Sequence, residues 1–167
     1  MRLLRVDEQG DLSSTEFIGD SIPSYAILSH TWGPSQDEVT WRDLYEGRAK
    51  YKSGYHKIHF CATKAKEDGL SYFWIDTCYI DKTSSAELTE AINSMFKWYE
   101  NASRCYVHLS DVSAHVKPED MYSALRRSRW FTRSWTLPEL LAPRSVEFFT
   151  YEGQKIGDKA SLERVFL

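Results

Sequence analysis

A chain of 167 residues can bury a substantial core, since a domain near this size hides roughly 70% of the surface its unfolded form exposes. Its net charge of −3 comes without a polybasic block, which argues against nucleic acid as the main partner, and no apolar stretch approaches the ~20 residues of a membrane span. Aromatic residues make up 14% of the chain, with six Trp and ten Tyr, a composition of packed interiors rather than of disorder.

In chain order, MRLLRVD meets Asp7 and Glu8 too early for a secretory apolar segment and reads as a short edge strand. Residues 8–24 are polar and turn-rich. YAIL, at 25–28, is a continuous apolar run of the kind a strand buried on both faces produces in a parallel sheet. It ends at SHTWG, and Gly33-Pro34-Ser35 breaks the element. Residues 39–45 read as the start of a short helix. Between 55 and 68, Ile58, Cys61, Ala62 and Ala65 recur at i, i+3, i+4 and i+7, and Gly69 suits the position just past a helix end.

SYFWI, at 71–75, is a second central strand ending in DTCYIDK, where Asp81 and Lys82 shape a turn. Ser84 followed three residues later by Glu87 is a capping-box pattern. The helix it opens, ending near Asn101, presents Leu88, Ile92, Met95, Phe96 and Tyr99 on one face, which is expected to pack on the sheet. RCYVHL is the third strand and ends in SDV. A helix near 119–127, the compact run RWFTRSWTLPELLAPR and a fourth apolar run at 146–149 follow. Residues 155–167 look like a loop and a helix start, with Ser161 as a cap. Alternating strands and helices imply right-handed crossovers. The expected fold class is α/β, a mostly parallel sheet flanked by helices. One domain over 1–167 is expected, with its core at about 25–160, either as the front part of a longer protein or as a short family member.

Ligands of open α/β sheets bind just past the carboxyl ends of the strands. The three polar strand ends would therefore bring Ser29, His30, Asp76, Cys78, Ser110 and Asp111 to one rim. Ser29 and His30 either cap a loop or cradle a phosphate or ribose. Trp32 either stacks on a nicotinamide or adenine ring or packs the loop. Asp76 is suited to accept a ribose hydroxyl or to hold His30. Cys78 is read as a small buried hydrophobe, with a nucleophilic pairing to His30 as the minority reading. Metal is not expected, because no C-x-x-C or H-x-x-x-H spacing is present. Three cysteines (Cys61, Cys78, Cys105) without paired spacing suit a reduced, intracellular protein. Arg126, Arg127, Arg129 and Arg133 form either a solvated basic face or an attractant for a pyrophosphate. Trp130, Phe131 and Trp135 are read mainly as core, with one ring available to wall a pocket.

The blocks YAILSHTWG, the segment from GYHKIHF through CYVHLSDV, and SRWFTRSWTLPELLAPRSVEFF resemble the fungal heterokaryon-incompatibility (HET) domain over about residues 25–160. That resemblance implies a cytoplasmic fungal protein of allorecognition and programmed cell death. The chain also resembles, more distantly, TIR domains, which have a flavodoxin-like parallel sheet. In these, a strand ending in serine precedes a helix of pattern Trp-Cys-x-x-Glu-Leu. Here Leu109-Ser110 ends the third strand, and Trp135-Thr136-Leu137-Pro138-Glu139-Leu140 follows with Thr136 in place of the Cys. The connection is longer than the usual one.

Catalytic TIR domains use that glutamate to cleave the nicotinamide–ribose bond of NAD⁺. The resemblance therefore implies Glu139 as the catalytic carboxylate of an NAD(P)⁺ nucleosidase. The polar strand ends and the Trp135–Leu140 pattern together give Ser29, His30, Trp32, Asp76, Cys78, Ser110, Arg133 and Trp135 as the expected ligand-binding set. NAD⁺ or a related nucleotide would be the substrate, with no cofactor required. Self-association or contact with other signalling domains is the implied partnership. The competing implication is a non-catalytic module that signals by self-association or recruitment, as adaptor TIR domains do.

Overall fold

The computed structural model describes residues 1–80 and 83–166, so the turn assigned to Asp81 and Lys82 lies outside the described residues. Seven strands form one sheet: β1 (Arg2–Val6), β2 (Leu12–Glu16), β3 (Tyr25–His30), β4 (Tyr72–Trp74), β5 (Arg104–His108), β6 (Val146–Phe149) and β7 (Lys155–Asp158). Their spatial order is β2-β1-β4-β3-β5-β6-β7. The four central strands, β4-β3-β5-β6, run parallel, and antiparallel neighbours close both edges. The fold is α/β with a mixed sheet, parallel at its centre.

Counting only the parallel strands, the order is second, first, third, fourth, so the direction of winding reverses between β3 and β5. That reversal is where doubly wound sheets open a crevice for ligands.

Helices cover both faces. They are α1 (Trp41–Tyr45), α2 (Tyr55–Glu67), α3 (Asp76–Tyr79), α4 (Ser85–Asn101), α5 (Pro118–Arg127), α6 (Thr136–Leu141) and α7 (Glu163–Phe166). Successive side chains of a strand point to opposite faces, and β3 shows the consequence. Ala26 and Leu28 pack with Ile58, Cys61 and Ala65 of α2. Ile27 packs with Met95 and Tyr99 of α4 and Leu140 of α6.

The expected α2 forms with the predicted end. Leu70 N–H reaches Ala65 O at 2.8 Å and Gly69 N–H reaches Lys66 O at 3.1 Å. Gly69 sits at φ +73°, a conformation that favours a residue without Cβ. Ser84 caps α4 by accepting from Glu87 N–H.

Four expectations are corrected. The strand at MRLLRVD is not an edge strand: β1 lies between β2 and β4 and pairs with both. Residues 8–24 are not all turn: Gly10 at φ +83° reverses the chain, and the polar run LSSTE pairs with β1 as β2. Lys155–Asp158 is a strand rather than a loop, and Ser161 exchanges hydrogen bonds with Asp158 at a turn beyond it. The buried face of α4 is Ala91, Met95, Trp98 and Tyr99, whereas Leu88, Ile92 and Phe96 are exposed. The rotation is set by Trp98, whose ring meets Trp74 at 5.3 Å and Tyr79 at 4.8 Å. Burying the largest aromatic surface outweighs burying the aliphatic stripe.

Candidate functional site

The last two residues of β3, Ser29 and His30, are buried and point to opposite faces of the sheet. Each anchors a separate polar cluster.

On the α4–α6 side, the Ser29 hydroxyl donates to Glu139 Oε2 and accepts from Trp130 Nε1–H at 2.7 Å. Glu139 is 1% exposed and holds Arg133 through two parallel bonds, both 2.9 Å. That two-pronged geometry is the strong form of an Arg–carboxylate contact. Glu139 is carried on α6, which the Thr136 hydroxyl fastens by donating to Trp130 O at 2.6 Å. Pro138 is the third residue of that helix, where its missing N–H leaves no intrahelical bond unmade. Burial pushes the Glu139 carboxyl above its ordinary value, and Arg133 and the Ser29 hydroxyl offset part of that rise.

On the α2 side, His30 Nε2 and Asp76 Oδ1 are 2.9 Å apart, Trp32 Nε1–H donates to Asp76 Oδ2 at 2.8 Å, and Thr77 N–H donates to Oδ1 at 2.8 Å. Lys57, buried on α2, pairs with Glu38, donates to Thr31 O at 3.1 Å and lies 3.3 Å from His30 Nδ1. Paired to a carboxylate, Lys57 has only protons to offer. His30 Nδ1 therefore accepts and Nε2–H donates to Asp76. Glu38 also accepts from Gly33 N–H at 2.6 Å, fixing the loop after β3. Burial raises Asp76, but His30, Trp32 and Arg133 bring it below its ordinary value. Glu38 is likewise raised by burial and brought below its usual range by its hydrogen bonds from Lys57 and Gly33 N–H.

The two clusters meet electrostatically. Arg133 lowers Asp76, and Asp76 raises Glu139. Two carboxylates thus share the field of one guanidinium at the reversal point. Arg133, with its side chain 19% exposed, is the solvent-facing member of the Glu139 cluster. Three surface grooves of about 760, 420 and 420 Å³ lie elsewhere, and none of the three is lined by Ser29, Asp76 or Glu139.

The remaining expected residues fall at different places. Cys78 is buried at the start of the α2-side core, with its thiol 3.5 Å from Val39 O and burial pushing it up. An unreactive thiol of this kind is poorly suited as a nucleophile. Ser110 lies 3.5 Å from His108 Nδ1. Asp111 accepts from the Ser128 hydroxyl and Arg129 N–H, anchoring the turn that leads into Trp130. Trp135 is partly exposed at the start of α6, and it is Trp130 whose indole reaches Ser29. Of the four arginines, Arg126 donates to Arg164 O, Arg127 is exposed at the end of α5, Arg129 pairs with Asp111 and Arg133 meets Glu139.

Glu38 and Lys57 are absent from the sequence reading. Lys57 carried a signal: it stands four residues before Cys61 and eight before Ala65, on the buried stripe of α2. Among the described residues, no group of three His, Cys, Asp or Glu side chains could hold a metal ion, and no helix is long and apolar enough to cross a membrane.

Residues 25–122, from the start of β3 into α5, match the family model of the heterokaryon incompatibility protein (HET). The chain belongs to the HET family. It is also 54% identical over 170 aligned residues to Vegetative incompatibility protein HET-E-1 of Podospora anserina. That match covers 99% of this chain but only 12% of the relative, so this HET domain spans a small part of that protein's length. No solved structure matches it. The family model takes in Ser29, His30, Lys57 and Asp76, while Arg133 and Glu139 lie beyond its end.

Proposed function

We propose that this HET domain serves in heterokaryon incompatibility and cell death by binding NAD⁺ and hydrolysing its nicotinamide–ribose bond, as a TIR-like cytoplasmic enzyme. The observation that supports the reading is the buried Glu139, held by Ser29 and Arg133 at the end of β3 where the parallel strands reverse their order, with Asp76 within electrostatic reach.

In this reaction the C1′–N bond breaks and its electron pair stays with nicotinamide, which departs neutral without needing an acid. Water then adds to C1′ and releases a proton, giving ADP-ribose. Positive charge builds on the ribose as in glycoside cleavage. Glu139, held by a helix and a serine hydroxyl, is the carboxylate set against that charge. In this reading Asp76 accepts a ribose hydroxyl, and Trp32, whose indole N–H donates to Asp76, stacks on a base. The test is nicotinamide release from NAD⁺ by concentrated protein. Release should fall about a hundred- to a thousandfold in Glu139→Ala, and undiminished release in a folded variant would remove the role.

One observation favours a second reading, a non-catalytic module acting by self-association or partner recruitment. In the resting arrangement the Glu139 carboxylate already holds three donors. Overexpression toxicity separates the readings: loss of killing in Glu139→Gln supports catalysis, and equal killing supports recruitment.

A further inference from the structure

Glu139 and any anionic ligand must compete for the same cation. The guanidinium of Arg133 spends two N–H groups on Glu139 and is the most exposed part of an otherwise buried cluster. It stands outside the regular elements, between the 3₁₀ turn Arg129–Thr132 and α6. Its backbone there is tied by two long bonds, Arg133 N–H to Trp130 O and Thr136 N–H to Arg133 O, both 3.4 Å. Neighbouring segments are held more tightly: Trp130 O takes the Thr136 hydroxyl at 2.6 Å, and Asp111 takes Arg129 N–H at 2.8 Å. The side chain therefore sits on a loosely tethered stretch between two anchored ones.

We infer that Arg133 is a latch released by phosphate: the pyrophosphate of a dinucleotide draws the guanidinium off Glu139, and only then is the carboxylate free to face the ribose. This rests on the NAD⁺ reading for the identity of the ligand, but its exchange of partners is testable without turnover. Arginine suits both states, because its planar fork matches carboxylate and phosphate oxygens equally well. A substrate with the same scissile bond but no phosphate, such as nicotinamide riboside, has nothing to open the latch. The device would make the enzyme selective for phosphorylated nicotinamide nucleotides and silent without one.

The experiment is a titration of the whole chain with inorganic pyrophosphate, followed by calorimetry and Trp fluorescence. Because internal pairing leaves only a fraction of Arg133 available, apparent affinity is reduced by that fraction. Glu139→Gln should therefore bind pyrophosphate at least ~10-fold more tightly than the wild type, and Arg133→Gln should lose saturable binding. Should Glu139→Gln fail to melt cooperatively, Glu139→Asp, which withdraws the carboxylate by one methylene, is read in its place with the same expected direction. Unchanged affinity in both variants, or weaker binding without the carboxylate, overturns the latch. Nicotinamide release is scored separately: expected binding shifts with no release from NAD⁺ would keep the latch and discard hydrolysis. Release from NAD⁺ that matches release from nicotinamide riboside, alongside unshifted binding, would keep hydrolysis and discard the latch.

Discussion

Ser29 and His30 are consecutive residues at one strand tip, yet the clusters they anchor are built differently. The His30 cluster is a chain of alternating partners, Trp32, Asp76, His30, Lys57 and Glu38, tied at both ends to the loop after β3. It fastens that loop to α2 and α3. The Ser29 cluster converges instead on a single carboxylate, and its outermost member rests on a weakly tied segment. One cluster is arranged to hold backbone still, whereas the other is arranged to exchange a partner. Buried ion pairs contribute little net stability but are costly to break on one side, so the contrast is one of replaceability rather than of strength.

The largest expected effect comes from Arg133→Ala, which leaves Glu139 buried without its cation. Urea denaturation should show a loss of about 3–5 kcal/mol, clearly more than for Glu139→Gln, since a freed Arg133 can turn to water. Equal losses would place the two side chains in equivalent surroundings and break the comparison. Lys57→Met should cost about 3 kcal/mol, because Gly33 N–H still holds Glu38. The double variant Lys57→Met, Glu38→Gln should recover part of the loss, as measured by a double-mutant cycle.

A pH effect sharpens the picture of the same rim. His108 pairs in register with His30, and burial lowers it to about 4, with the Tyr151 carbonyl acting against the shift. An unfolded His titrates near 6.5. Its depressed folded pKa means that stability is complete above pH ~6.5 and is lost as pH falls towards 4, by nearly 3 kcal/mol. Denaturation midpoints measured at pH 7 and pH 4.5 should differ strongly, and His108→Gln should flatten the difference. Ser29→Ala removes a hydrogen bond to a charged group, at about 2 kcal/mol, and should affect the Glu139 cluster without disturbing the loop after β3. At the low end, Ile92→Ser and Leu137→Ser, at exposed positions, should stay within about 0.5 kcal/mol.

The parallel centre of this fold was legible because its strands are continuous apolar runs; the polar strand ends singled out Ser29, His30 and Asp76, whereas Glu139 was singled out only through the resemblance to TIR domains. The edges were not. β2 has no apolar alternation to betray it and gains its place by backbone pairing with β1. Glu38 follows no period, and Lys57 hid as a charge on an apolar stripe, its burial supported by a carboxylate 19 residues away in sequence and by Thr31 O. On α4 two apolar stripes overlap, and propensity alone does not choose between them. Strand alternation itself implies that adjacent residues Ser29 and His30 serve opposite faces, and the structure accordingly separates the expected single rim into two clusters.

A structure of the chain bound to a hydrolysis-resistant NAD⁺ analogue tests the whole account most directly. The Glu139 carboxylate should lie within hydrogen-bonding reach of the nicotinamide ribose, with Arg133 turned away onto the pyrophosphate. An analogue seated elsewhere, with both Arg133–Glu139 bonds intact, would contradict it.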